Sequence, residues 1–151
     1  MKIFLATDHA GFNHKEALKK HLINNGHEIV DCGAEKFVEG DDYVPYMAKA
    51  AENVSKDPTS KAVIFGGSGE GEAMVANRFP NVRAIEYYGG PLEIIKLSRE
   101  HNDANVLSIG ARFVSREDTL KVVDLWLTTE FSNEERHIRR IKEIDEIKTN
   151  E

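Results

Sequence analysis

A glycine-rich segment, VIFGGSGEGEAMVANR at residues 63–78, is the part of this sequence most suited to chemistry. It contains four closely spaced glycines, which are Gly66, Gly67, Gly69 and Gly71. Glycine lets backbone N–H groups approach a ligand at a helix N-terminus, where the helix dipole also favours negative charge. The segment therefore predicts an anion-binding loop. It is not a Walker loop, which needs Lys and Ser or Thr after Gly71, nor a G-x-G-x-x-G dinucleotide fingerprint.

Two carboxylates, Glu70 and Glu72, stand in the same loop. A carboxylate beside backbone N–H donors suits proton abstraction next to a carbonyl. In that reaction Glu72 would be the base and the amides would hold the enediolate oxygens. Partial burial would raise the pKa of Glu72 toward neutrality. The alternative is that both residues only stabilise the dipole of the first helical turn, and for Glu70 this is the favoured interpretation.

The loop belongs to a repeated β-α pattern. Short apolar segments alternate with amphipathic ones. The apolar segments lie near residues 2–7, 27–32, 62–67, 82–88 and 105–110, and the amphipathic segments near residues 12–25, 44–55, 71–78, 91–101 and 116–128. This alternation indicates a parallel sheet covered by helices on both faces. We therefore predict an α/β protein, a three-layer α/β/α Rossmann-like fold with a five-stranded parallel sheet.

The first and last helices of this pattern carry specific expectations. In the first, the apolar stripe consists of Phe12, Ala17, Leu18, Leu22 and Ile23. Lys15 is expected to face water. An extra C-terminal helix is predicted at about residues 133–148, with Ser132 or Asn133 as its N-cap. No strand follows it, so it is expected to pack on a partner subunit.

Composition narrows the class of protein. The 151 residues are 40% hydrophobic and 30% charged, with a formal net charge of −6. We therefore expect a single domain over residues 1–151 and no nucleic-acid partner. No apolar run has the length of a membrane span or the form of a secretory signal, so no membrane partner and a cytoplasmic location are predicted. The single cysteine, Cys32, is expected to pack at a strand end and not to bind metal.

Further candidate residues follow the other strands, because ligands bind beyond the carboxyl ends of the strands in an open α/β sheet. They are Asp8, His9, Tyr43 and Arg112. A basic cluster, RHIRR at residues 136–140, stands apart in this acidic chain. Arg136 and Arg140 share a helix face and either bind an anion or form a solvated face with nearby glutamates. His137 and Arg139 are expected to lie on the solvated face of the helix.

Six motifs run in order from residue 3 to about residue 145. They are ATDHAGF, DCGA, DY with a nearby Pro, GGSGEGEAMVANR, SREHNDANVLSIGARF and ERHIRRI. Together they resemble the type B ribose-5-phosphate isomerases. The resemblance implies a homodimer or dimer of dimers with shared active sites and with no metal or organic cofactor. It also implies a phosphorylated pentose substrate, with interconversion of ribose 5-phosphate and ribulose 5-phosphate through an enediolate.

The resemblance also implies roles for the early motifs. One branch of the family uses a cysteine at the end of the third strand as the base, and Gly66 holds that position here. The other branch uses the loop glutamate, which corresponds to Glu72. Ser68 corresponds to a serine that assists at the substrate hydroxyls. Asp8 and His9 correspond to a pair that contacts the sugar ring and the phosphate side of the substrate.

The later motifs imply ring opening and phosphate binding. His101 corresponds to a histidine that opens the furanose ring, a proton transfer for which imidazole is suited. Guanidinium groups bind phosphate bidentately, and three arginines correspond to the phosphate ligands. The substrate-binding residues expected from the resemblance are His9, Tyr43, Gly67, Gly69, Gly71, Asn102, Arg112, Arg136 and Arg140.

The sequence departs from the family pattern at two places. Val44 separates Tyr43 from the proline that usually follows it, and Glu70 replaces the more usual Asn or Gln. Other functions remain open at this point. They are an allose or galactose 6-phosphate isomerase, a non-catalytic sugar-phosphate-binding protein of the same fold, and a flavodoxin-like carrier or receiver domain. Arg112 and Phe113 after LSIGA argue against the receiver.

Overall fold

The protein, described here by a computed structural model over residues 1–147, is organised around a five-stranded sheet. The strands are β1 (Lys2–Thr7), β2 (Glu28–Asp31), β3 (Lys61–Gly66), β4 (Ala84–Tyr87) and β5 (Val106–Gly110). All neighbouring strands are parallel, in the order β2-β1-β3-β5-β4. The central strands β3 and β5 are buried along their whole length, which explains their continuous apolar sequence.

Helices cover both faces of the sheet. They are α1 (Phe12–Asn24), α2 (Val44–Lys56), α3 (Glu70–Ala76), α4 (Glu93–Glu100) and α5 (Arg116–Thr128). A short 3-10 turn at His9–Gly11 precedes α1, and the C-terminal helix α6 (Glu135–Asp145) follows α5. One core lies between the sheet and α1, α4 and α5, with Trp126 as its largest side chain. The second core lies between the sheet and α2 and α3, and Met47 is at its centre.

The residues of β1 alternate between these two cores. Ile3 and Leu5 belong to the core with α1, whereas Phe4 and Ala6 belong to the core with α2. Successive side chains of a strand point to opposite faces of the sheet, so each strand serves both layers of helices. The prediction of a three-layer fold with a five-stranded parallel sheet and an extra C-terminal helix is therefore confirmed.

The C-terminal helix α6 begins later than predicted. Its N-cap residue is Glu134, not Ser132 or Asn133. Asn133 has a φ of +56°, whereas an N-cap residue has extended backbone angles. The Ser132 hydroxyl lies 2.9 Å from His137 Nδ1 and so joins the segment before the helix to its first turn. The predicted end at residue 148 lies outside the described residues.

The prediction that Lys15 faces water is wrong. Its side chain is wholly buried, with Nζ 2.6 Å from Asp31 Oδ2 and 3.0 Å from Glu16 Oε1. Ile23, which was expected in the apolar stripe, is 51% exposed. Helical periodicity cannot reveal a charged partner on another element. Here Asp31, at the end of β2, supplies the charge that allows a lysine to be buried.

Two other expectations concern Cys32 and membranes. Cys32 is buried directly after β2, as predicted, and burial raises the pKa of its thiol, which keeps the sulfur protonated. Across residues 1–147, none of the helices combines the length and the apolar character that a bilayer span requires.

Candidate active site

The glycine-rich loop joins β3 to α3 at the carboxyl edge of the sheet. Gly69, the residue before α3, has a φ of +91°, in the left-handed region that favours glycine. The Ser108 hydroxyl of β5 donates a 2.6 Å hydrogen bond to the Gly69 carbonyl. A Cβ at Gly69 would lie 3.1 Å from the Gly110 nitrogen. The loop is therefore held tightly against β5 and requires glycine at this position.

Glu72 is buried in the first turn of α3, with 4% of its surface exposed. Its carboxylate lies against Gly66, and a side chain at Gly66 would overlap it. Burial raises the pKa of Glu72, and the charge of Asp8 raises it further, although hydrogen bonds from the amides of Glu72 and Gly69 oppose this. A carboxylate of this kind beside backbone donors can accept a proton near neutral pH. Glu70, in the same turn, is exposed.

Arg112 lies directly against the glycine loop. The amides of Ala111 and Arg112 donate to the carbonyls of Gly66 and Gly67 at 2.9 and 3.1 Å, so the pairing of β3 with β5 continues past the strand ends. A Cβ at Gly67 would lie 3.2 Å from Arg112 Cζ. The guanidinium group is thus placed beside the amides that were predicted to bind an anion.

Tyr43 reaches the opposite side of the same loop. It is the N-cap residue of α2, with Pro45 in the first turn of that helix. A Cβ at Gly71 would lie 2.5 Å from the Tyr43 hydroxyl oxygen. Val44 therefore does not remove Tyr43 from the loop, because the extra residue is taken into the start of α2.

Asp8 and His9 follow β1, as predicted. Asp8 is 6% exposed and accepts a 2.9 Å hydrogen bond from the Ala10 amide. The His9 amide and His9 Nδ1 both contact Asp41 Oδ1, at 2.8 and 2.9 Å. Asp8, His9 and Asp41 each offer a donor atom within 4.8 Å of the others, but this proximity alone does not assign a metal site. The contacts between His9 and Asp41 already account for their closeness.

The predicted residues of the early motifs thus meet at the carboxyl edge of the sheet, together with Arg112. Ser68 belongs to the same loop, and its hydroxyl lies 3.3 Å from the Glu70 amide nitrogen, which donates to it. We call this group the carboxyl-edge cluster. It consists of Asp8, His9, Tyr43, Gly67, Ser68, Gly69, Gly71, Glu72 and Arg112.

The remaining predicted residues form a second group around α6 and the end of α4. We call it the amino-edge cluster, and it consists of His101, Asn102, Arg136 and Arg140. The ring of His101 packs on the ring of His137, with centroids 4.3 Å apart. Burial lowers the pKa of His137, and the neighbouring His101, Arg136 and Arg140 side chains act in the same direction. These residues are therefore close to one another.

The two clusters lie at opposite edges of the sheet. Arg83, the residue before β4, donates from Nε to the Asn102 carbonyl at 3.1 Å, which places Asn102 where the strands begin. Glu72 and Arg112 lie where the strands end. β5 is five residues long, so the edges are about 13 Å apart at ~3.3 Å per residue. A single chain therefore does not bring all the predicted site residues together.

Sequence reasoning missed Asp41 and misjudged His137. Asp41 lies in the irregular segment between β2 and α2, where no periodicity marks a buried side chain. His137 was expected on a solvated face, but it is 2% exposed. The sequence carried one signal for His137, because a serine five residues earlier, Ser132, can reach it once the intervening chain turns into α6.

Comparison with known proteins agrees with the fold and with the motifs. Residues 3–144 match the family model described as Ribose/Galactose Isomerase. A ribose-5-phosphate isomerase B from Mycolicibacterium paratuberculosis is 39% identical over 141 residues, which are 93% of this chain and 87% of that protein.

Solved structures are similar over nearly the whole chain. The crystal structure of ribose-5-phosphate isomerase B from Mycoplasma genitalium with bound ribulose-5-phosphate has a TM-score of 0.91 at 33% identity, covering 95% of this chain and 93% of that one. The enzyme from Clostridium thermocellum has a TM-score of 0.90 at 36% identity, covering 97% and 96%. The resemblance predicted from the motifs is confirmed.

Proposed function

The chain belongs to the ribose/galactose isomerase family, and we propose that it interconverts ribose 5-phosphate and ribulose 5-phosphate. One observation carries the proposal. Glu72 is a buried carboxylate with a raised pKa beside the amides of the glycine loop. The similar protein from Mycoplasma genitalium holds ribulose 5-phosphate, and the named relatives do not favour the hexose phosphate or non-catalytic alternatives. A single domain over residues 1–151 and a cytoplasmic location remain predictions.

In the proposed reaction, Glu72 removes the C2 proton of the open-chain aldose and returns it at C1. Negative charge then develops on the substrate oxygens. The N–H groups between Gly67 and Gly71 stabilise this enediolate, because they are fixed before the reaction begins. Ser68 assists at the substrate hydroxyls, and Tyr43 borders the pocket at Gly71. This acid-base route uses side chains and amides alone, so we propose that it needs no metal or organic cofactor.

Ring opening requires a residue from a second subunit. We assign this step to His101, whose imidazole can move a proton between the ring oxygen and the anomeric hydroxyl. Because the two edges of the sheet are about 13 Å apart along the five residues of β5, a sugar phosphate bound at Glu72 does not reach His101 of the same chain. The active site is therefore completed by His101 and Asn102 of the partner subunit.

We propose that the phosphate ligands are also divided between the two subunits. Arg112 belongs to the carboxyl-edge cluster, whereas Arg136 and Arg140 lie on α6. Arg136 Nε is 2.8 Å from Glu134 Oε2, but both side chains are more than half exposed. An exposed ion pair of this kind is weak, so Arg136 can exchange it for a phosphate. Asp8 and His9 contact the sugar ring and the phosphate side from the first subunit.

Helix α6 provides an apolar surface for the second copy. Ile138 and Ile144 of α6 are 48% and 49% exposed, and Ile147, just after the helix, is 72% exposed. Burial of such side chains drives association. We therefore propose a homodimer, or a dimer of such dimers, in which α6 packs on the partner subunit and carries Arg136 and Arg140 into the partner's site.

The test is a matched pair of variants in the glycine loop. Glu72→Gln and Glu70→Gln each remove one negative charge from the same helical turn. We expect native turnover of ribose 5-phosphate to survive a chelator, kcat to fall about 10³-fold in Glu72→Gln, and Glu70→Gln to stay within about threefold of native. Full activity in Glu72→Gln would overturn its role as base. An inactive native protein would direct the assay to allose 6-phosphate and then to ligand binding without turnover.

A further inference from the structure

His9 is held by a single carboxylate oxygen of Asp41. The His9 amide is 2.8 Å from Asp41 Oδ1, and His9 Nδ1 is 2.9 Å from the same atom. Phe37, from the same segment as Asp41, packs edge-on against the His9 ring with centroids 6.4 Å apart. The segment between β2 and α2 therefore fixes both the backbone and the ring orientation of His9.

Asp41 keeps its charge although it is largely removed from water. Its side chain is 9% exposed. Burial opposes ionisation, but the hydrogen bonds from the His9 amide and ring outweigh it, so the pKa of Asp41 lies below its ordinary value. Burial raises the pKa of the Tyr46 hydroxyl, and the negative charge of Asp41 raises it further. Tyr46 therefore stays neutral, and Asp41 remains the anion.

The charged groups facing His9 favour its protonated form. The hydrogen bond to Asp41 raises the pKa of His9, burial lowers it, the charge of Asp8 raises it, and Arg112 lowers it. The pKa of His9 therefore lies above its ordinary value. Asp8 Oδ2 is 3.8 Å from His9 Nδ1. Asp41 is the dominant partner because it makes the direct contact.

The contact with Asp41 leaves the other ring nitrogen for a ligand. When Nδ1 carries the proton shared with Asp41, Nε2 has an N–H group only if the ring is charged. A charged ring therefore offers Nε2–H as a donor to an anion, whereas a neutral ring offers a lone pair that repels it. The protonation state of His9 thus decides whether this corner attracts phosphate.

We propose that Asp41 is a positioning residue that keeps His9 oriented and positively charged, so that His9 Nε2–H binds the phosphate side of the substrate. The inference deepens the proposed function and rests on it for the identity of the substrate. The contact between Asp41 and His9 itself does not depend on catalysis and can be tested without turnover.

The first experiment uses ¹⁵N-histidine NMR, with inorganic phosphate as the probe. Asp41→Asn keeps an oxygen acceptor but removes the charge, and Asp42→Asn removes the same charge from the exposed neighbouring residue. The His9 signal is the one that disappears in His9→Gln. We expect the His9 titration midpoint to fall by about one pH unit in Asp41→Asn and to stay in place in Asp42→Asn.

Kinetics supply the second readout. In Asp41→Asn, KM for ribose 5-phosphate at pH 7 should rise about three- to tenfold while kcat changes less than about twofold. The alkaline decline of kcat/KM should move to lower pH, because His9 loses its proton earlier. An unchanged His9 midpoint, or an unchanged KM, would overturn the proposal. A native protein without isomerase activity would refute the proposed function, while the NMR comparison would still decide the role of Asp41.

Discussion

Lys15 Nζ lies 2.6 Å from Asp31 Oδ2, and the lysine side chain is wholly buried. Asp31 also accepts from Lys19 Nζ at 2.8 Å and from the Gly33 amide at 3.0 Å. Removing the negative charge leaves the buried Lys15 with Glu16, at 3.0 Å, as its anionic partner among the described residues. We therefore predict that Asp31→Asn lowers the free energy of unfolding by about 2–3 kcal/mol.

Urea denaturation at pH 7 measures this change. Glu28→Gln is the control, because Glu28 lies on the same strand and loses the same charge, but it is exposed and 3.8 Å from its partner. Burial opposes the charge on Asp31, yet its lysine partners hold its pKa below the ordinary value. Its contribution is therefore present above the unfolded pKa and is lost as pH falls through the folded pKa. Equal effects of the two substitutions would contradict the prediction.

The proposed sharing of active sites between subunits predicts complementation between two inactive chains. Glu72→Gln removes the proposed base from one cluster, and His101→Gln removes the proposed ring-opening residue from the other. When the two variants are co-expressed, half of randomly paired dimers are mixed. Each mixed dimer then has one site with both native residues. We expect about one quarter of native activity from the mixture, and almost none from either variant alone.

The alternative arrangement gives a different result. If Glu72 and His101 served one site within a single chain, every site in the mixture would lack one of them, and activity would not exceed that of the separate variants. Steady-state turnover of the co-purified mixture, with light scattering to confirm its oligomeric state, distinguishes the two arrangements. Urea denaturation of His101→Gln checks that loss of its packing on His137 has not unfolded the chain.

The raised pKa of Glu72 predicts the acid side of the pH profile. A general base acts only when it is ionised, so kcat/KM should rise with pH through the pKa of Glu72. Burial first and Asp8 second raise the pKa of Glu72, so this rise should lie above the range of an ordinary glutamate. The measurement is kcat/KM for ribose 5-phosphate between pH 4 and 8. A profile that is already flat above the ordinary glutamate range would argue against this environment.

Glu86 is a carboxylate that the proposed mechanism does not use. It is paired in the sheet with Ser108, whose hydroxyl reaches Gly69 before α3, so Glu86 points to the same face. Within the part of the chain that is described, its Oε1 is buried without a hydrogen-bond partner. Burial raises the pKa of Glu86, and the charges of Glu70 and Glu72 raise it further.

This environment predicts that Glu86→Gln increases the free energy of unfolding in a pH-dependent way. Because the folded pKa is raised, the stability associated with the protonated group is complete below the unfolded pKa and is lost as pH rises through the folded pKa. The variant should match the native protein near pH 4 and exceed it by about 0.5–1 kcal/mol at pH 8. Urea denaturation at both pH values, with the exposed Glu39→Gln as control, measures the difference. A destabilised Glu86→Gln at pH 8 would contradict it.

The fold could be predicted from sequence because it depends on local patterns that repeat. Continuous apolar strands such as β3 and amphipathic helices such as α2 are fixed by burial along a few consecutive residues. The glycine loop could also be predicted, because its spacing and its place after a buried strand lie within one short segment. The same short segment predicts Glu72 as the base.

Contacts between distant segments were not predictable in this way. Lys15 has the spacing of a solvated residue, and only its approach to Asp31 explains its burial. Asp41 is 32 residues from His9, in a segment without regular structure. The separation of His101 from Glu72 depends on the direction of α4 relative to the sheet. It therefore follows from the three-dimensional arrangement of the strands and not from a local sequence pattern.

The Glu72 carboxylate of α3 occupies the space that a side chain at Gly66, at the end of β3, would fill. The resemblance described above includes a branch whose base is a cysteine at the position of Gly66. A chain carrying both groups would need the Glu72 carboxylate to move aside, and one carrying neither would lack a base. A thiol-reactive inhibitor directed at the cysteine of that branch would have no thiol to modify at position 66 of this chain.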